Sequence, residues 1–227
     1  MKRKLTLCFI ILIVFGCFAF CAGKLSVTQE NFHVISSYGT YGYSYAKVKN
    51  IGDKPIKVNA GVLEIFDSNG DPITSTDWMY SYASILQPGE YTYVQLSSQI
   101  EDKTKTASDY SLTITGKSDN SSKIKRLPCT TELELKVTTG WWTYNYMYAY
   151  VTNDTSEPLF GIEIVFALLD AEGNILYVTS DDLYSNRALA PGSTMIFRAD
   201  ISSAFMEYFK TKGFEPLRVD AIAYAQE

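Results

Sequence analysis

The sequence repeats itself. Displaced by 103 residues, the segment from Val34 to Gly89 lies over Val137 to Gly192 without a gap. Thr40-Tyr41 meets Thr143-Tyr144, and Tyr43, Tyr45 and Ala46 meet Tyr146, Tyr148 and Ala149. Asn50 and Pro55 meet Asn153 and Pro158, Asp67 and Gly70 meet Asp170 and Gly173, and Pro88-Gly89 meets Pro191-Gly192. The identities fall on turn formers and strand residues, so a fold unit has been duplicated. Whatever architecture the chain adopts must occur twice, in units of about 100 residues that can each hold a core.

Within each unit the period is two. Tyr41 to Asn50 and Tyr144 to Asn153 alternate aromatic with small or aliphatic side chains, as a two-faced strand does. A turn with Pro55 or Pro158 leads to a second strand, Ile56 to Phe66 or Leu159 to Leu169. Asp67-Ser-Asn-Gly70 and Asp170-Ala-Glu-Gly173 then read as hairpin turns. Further strands follow over Asp71–Thr76 and Asn174–Thr179, Tyr91–Leu96 and Thr194–Ala199, and Tyr110–Thr115 and Leu217–Tyr224. Ile201 to Lys212 carries Phe205, Tyr208 and Phe209 at helical spacing behind Ser202 and Ser203, while Gln99 to Ser108 is polar and only weakly helical. The expected fold is all-β, two tandem immunoglobulin-like antiparallel β-sandwiches with a short helix in the second. The units span 24–116 and 131–227, joined by a polar Gly-, Ser- and Pro-bearing linker over 117–130.

Leu63-Glu-Ile-Phe-Asp67 and Phe166-Ala-Leu-Leu-Asp170 resemble the pattern that names the bacterial FxLYD domain. The resemblance extends to Asn50, Gly70 and Pro88-Gly89, and to Asn153, Gly173 and Pro191-Gly192. Leu63 stands where the pattern has Phe, and Leu169 where it has Tyr. The resemblance implies an exported, often lipid-anchored module and brings no catalytic residue with it.

Residues 1–23 read as a secretory signal peptide. Lys2-Arg3-Lys4 precedes an apolar run from Leu5 to Phe20, shorter than a membrane span needs, and then small residues with cleavage after Cys21 or Gly23. An uncleaved anchor and lipid attachment at Cys17 are the alternatives, and the only routes to a membrane. The expected location is extracytoplasmic, secreted or at the cell envelope. Cys8, Cys17 and Cys21 lie in the leader, which leaves Cys129 alone and both units without a disulfide.

Net charge is −5, and without the three leader cations 17 basic residues face 25 acidic ones, a balance of −8 that argues against nucleic acid. His33 is the single histidine, and no Gly-x-Ser-x-Gly, Ser-x-x-Lys or His-Glu-x-x-His signature occurs. Asp67-Ser-Asn-Gly-Asp71 has the look of a calcium loop but lacks its spacing, and the second copy loses the oxygens while keeping the turn. No enzyme activity, cofactor or metal is expected. Asn120-Ser-Ser and Asn153-Asp-Thr are glycosylation sequons by pattern.

The remaining signal is a tyrosine stripe. Trp142, Tyr144, Tyr146, Tyr148 and Tyr150 share one strand face in the second copy, as Tyr41, Tyr43 and Tyr45 do in the first. If the aliphatic face is the core, these rings lie outside, where contiguous apolar surface marks a contact site. If the rings are core, or are covered by neighbouring strands, they mean packing alone. Trp142, Tyr144, Tyr146, Tyr148, Tyr41, Tyr43 and Tyr45 are therefore the candidate contact residues. The expected partner is a protein or peptide, or alternatively a glycan, of the cell envelope.

Overall fold

The computed structural model describes residues 23–36, 38–81, 85–119, 124–183 and 187–226, without the side chains of 81, 139, 142 and 226. Residues 1–22 of the expected leader and the Asn120 sequon lie outside these.

The first unit holds β1 (Leu25–Ser36), β2 (Thr40–Asn50), β3 (Ile56–Phe66), β4 (Pro72–Thr76), β5 (Met79–Ser81), β6 (Ile85–Leu86), β7 (Tyr91–Gln99) and β8 (Asp109–Ser118). One sheet runs β1-β2-β7-β5, and the other places β3 between β4 and β8, with β6 pairing the start of β3. The two sheets close on Ala46, Val48, Val94 and Leu96 from one side and Val58, Leu63 and Ile65 from the other, all buried. The small and aliphatic positions of the alternating strands thus form the core.

The second unit holds β9 (Ile124–Leu127), β10 (Cys129–Thr139), β11 (Trp142–Thr152), β12 (Ile162–Leu169), β13 (Ile175–Asp182), β14 (Thr194–Asp200), α1 (Ser203–Lys212) and β15 (Arg218–Gln226). Its sheets are β10-β11-β14 and β13-β12-β15-β9, closed on Met147, Ala149, Val151 and Phe197 against Ile162, Ile164, Phe166 and Leu168. The chain is two tandem antiparallel β-sandwiches, as the period of two requires.

The duplicated turn residues do the same work in both copies. Asn50 is buried and its Nδ2 donates to the carbonyls of Lys54 at 2.8 Å and Leu86 at 2.9 Å. Asn153 repeats this on Glu157 and Leu189, both at 2.8 Å. Each amide satisfies two turn carbonyls that would otherwise be buried unpaired, a costly state. It also leaves the Asn153 nitrogen inside the fold, with no exposed group for a glycan. In the hairpins, Asp67 Oδ1 accepts the amide of Asp71 at 3.0 Å and Asp170 Oδ1 that of Asn174 at 2.7 Å. Gly70 and Gly173 complete those turns at φ 82° and 91°, where a side chain would be strained. These carboxylates are turn-forming acceptors.

Three expectations need correcting. The 117–130 segment is not all linker, because β9 pairs Leu127 with Ala223 and Lys125 with Ala225 and so belongs to the second sandwich. Its polar composition hid it, since only Leu127 reaches the core. Residues 100–108 form no helix. Ser202 sits at the N-cap of α1, yet its hydroxyl makes no capping hydrogen bond.

Candidate functional site

Strand alternation sends Tyr41, Tyr43, Tyr45 and Lys47 away from the core that Ser44, Ala46 and Val48 enter. Cross-strand pairing sets His33 beside Tyr43, Asn31 beside Tyr45, and Tyr93 beside Lys47 on the same face. Tyr43 and Tyr45 stack with centroids 6.4 Å apart and planes 7° from parallel. The result is a ladder of rings on the outer face of the first sheet.

That ladder is covered by the second unit. Tyr45 and Tyr93 form one buried cluster with Val165 and Ala167 of β12, Val178 of β13, and Ile222 and Tyr224 of β15. Phe205 of α1 packs against Tyr43 at 5.0 Å, and Tyr177 meets Tyr45 at 6.0 Å. Several polar groups bridge the seam. Tyr91 and Tyr93 both donate to Asp220 Oδ2, at 3.1 and 2.5 Å. Burial and then this carboxylate push the Tyr91 hydroxyl up to about 12 and that of Tyr93 further in the same direction. Gln29 Nε2 donates to the Gly173 carbonyl at 2.8 Å and Asn31 Nδ2 to that of Ile175 at 2.9 Å. Arg126 of β9 donates to the Tyr91 carbonyl and lies 3.6 Å from Glu90. The stripe in the first copy is a contact surface whose partner is the same chain. Tyr45 has no exposed surface left for any other ligand, while Tyr41 and Tyr43 border an open cleft, about 410 Å³, toward Ser202 and Phe205.

His33 lies in this seam as well. It is 3 % exposed and ringed by Tyr45, Tyr208, Phe209 and Phe214, with centroids at 5.4 to 6.3 Å. Burial, then the Lys212 charge, lowers its pKa to about 4, so the ring is neutral at pH 7. Cys129, at the start of β10, packs against the second core, and burial raises its thiol to about 11, which keeps it unreactive.

The second ladder is open. Tyr144 and Tyr146 stack at 5.6 Å with planes 10° apart, and Tyr148 follows at 5.9 Å. Tyr144 is 36 % exposed and Ile196, the register equivalent of Tyr93, 58 %. Tyr146 is 8 % exposed because the Arg198 guanidinium lies over its ring at 4.5 Å. The indole of Trp142 is outside the described side chains, and Trp141 at the turn beside it is fully exposed. Pairing brings Glu132 beside Tyr148 and Glu134 beside Tyr146. Tyr150 donates to Glu132 at 2.6 Å, and Tyr148 to Glu134. Sequence reasoning found the rings and missed Glu132, Glu134, Ile196 and Arg198, because cross-strand register is not written in a single strand.

No family model matches the chain. No curated protein matches it either. Among solved structures it is similar to a red sea bream transglutaminase, at 15 % identity and a TM-score of 0.22. That similarity covers 78 % of this chain and 27 % of the other, so the chain spans about a quarter of that protein's length. Nothing about this chain's chemistry follows from a likeness of that size. Among the described residues no three His, Cys, Asp or Glu side chains converge as a metal site, and no helix is long and apolar enough to cross a membrane.

Proposed function

We propose that this is a non-enzymatic, exported protein that works by docking, and that the open tyrosine ladder of the second unit is where a protein partner binds. One observation carries the reading: the same ladder exists twice in one chain, and in the first copy it is covered by a protein sheet. Tyrosine rings offer large, stiff, amphipathic contact area, and such residues concentrate at protein interfaces. Export to the cell envelope follows from the leader expected over 1–23. The FxLYD-like reading of the units rests on Asn50, Asn153 and the two Asp–Gly turns holding equivalent positions in the fold. A glycan is the rival ligand, since the exposed Tyr144 ring can stack on a sugar ring.

The test is a photo-crosslinking residue at position 144, with a second at Ser111 on the far side of the first unit as control. Polypeptide adducts at 144, absent at 111 and lost with Ile196→Lys, are the expected result. Retention of the chain on a polysaccharide, abolished by Tyr144→Ala, would replace the protein reading with the glycan one.

A further inference from the structure

The two ladders differ in their flanks, and the difference selects a partner. In the covered copy the residues paired with Tyr45 and Tyr43 are Asn31 and His33, both neutral, and Asn31 and Gln29 donate to backbone carbonyls of the second unit. In the open copy the residues paired with Tyr148 and Tyr146 are Glu132 and Glu134, both exposed. Donors have become acceptors, and neutral groups have become anions. Each carboxylate takes one phenol hydrogen, which leaves most of its acceptor sites facing solvent. Among the described residues neither forms an ion pair, because Arg198, the cation on this face, is 3.6 Å from Asp200.

Cations fit among these rings. In the covered seam Lys47 Nζ lies 3.7 Å from the Tyr91 ring centroid, and on the open face Arg198 occupies the Tyr146 ring. A second copy of this chain is a poor occupant. The first unit's outer face places Glu64, Ser111 and Thr113 where the second unit has Ala167, Asp220 and Ile222, so it does not offer a ladder the same aliphatic bed, and its paired cations, Lys57 and Lys117, lie at the opposite end of β3 and β8 from Glu64.

We propose that the open ladder recognises a basic polypeptide, an extended segment whose lysine or arginine side chains reach Glu132 and Glu134 while its aliphatic side chains lie on the exposed Tyr144 and Ile196. This rests on the protein-docking reading above and names the chemistry of the partner. The probe is a 12-residue peptide of alternating Lys and Val, titrated into the full chain by calorimetry, with amide shifts followed by NMR. Its acetyl-lysine counterpart is the uncharged control. The expected result is binding that shifts β10, β11 and β14, weakens as salt rises, and is absent for the acetylated peptide. Glu132→Gln with Glu134→Gln weakens it about fivefold to tenfold, the worth of two exposed ion pairs. Removing the same number of charges from the first unit, Glu64→Gln with Glu101→Gln, leaves it unchanged.

Equal binding of the acetylated peptide, or equal loss in both double variants, overturns the basic-partner inference. So does a shift pattern confined to other surfaces. Peptide failure beside specific crosslinks at position 144 sinks the charge argument and leaves docking standing. Failure of both removes both.

Discussion

His33 shows how one residue can tie a fold to pH. An unfolded histidine titrates near 6.5, and in the seam the same ring titrates near 4. Between those values the unfolded chain holds a proton that the folded chain refuses, so stability falls as pH falls through that window and is constant above it. The loss approaches about 3 kcal/mol at the acid end, because each tenfold drop in proton affinity is worth about 1.4 kcal/mol. Urea unfolding of the wild type and of His33→Phe at pH 7.5 and 4.5 separates this from the carboxylates. The wild type is expected to lose about 2 kcal/mol more than the variant on acidification, and parallel losses would assign the effect elsewhere. The sequence could show only that the chain has one histidine. Its surroundings come from Tyr208, Phe209 and Phe214, well over 150 residues away.

At the level of elements, the strands legible in the sequence were those with both a clear alternation and a flanking turn. Ile56–Phe66 is predicted to the residue, Thr194–Asp200 one residue short and Tyr91–Gln99 three residues short at its end. β9 had neither signal. Lys125 and Arg126 face water and the seam, leaving Leu127 as its one deeply buried side chain. The structural status of β9 is testable through that residue. Leu127→Ala is expected to cost about 3 kcal/mol in chemical denaturation, as for a leucine in a packed core. A cost within about 0.5 kcal/mol, normal for an exposed linker position, would return 117–130 to the status its composition suggested. The helix α1 is the opposite case. Its apolar spacing was plain, but its purpose was not, because Phe205 and Phe209 cover the other unit's Tyr43 and His33 as well as their own core.

For the molecule as a whole, the shared seam means that the two sandwiches do not have independent stabilities. Tyr45 and Tyr93 are buried only while Val165, Ala167 and Ile222 lie over them. A single calorimetric transition is expected for the full chain. Ala167→Glu places a carboxylate among those rings without a partner, costing about 3–5 kcal/mol at the seam, and should split the transition in two. A single transition that merely moves down in temperature would mean the units are joined by something other than this contact.

Asp220 grips two phenols at once, and Arg126 clasps the strand behind them. A pair of beads on a string would let the second ladder sweep every direction, and a partner found by it would be tethered and no more. With the joint clamped, the ladder keeps one bearing relative to the first sandwich. A molecule captured there is held at a set distance and a set orientation, so the chain acts as a bracket: moving the clamp would misplace the cargo even with every contact to it intact.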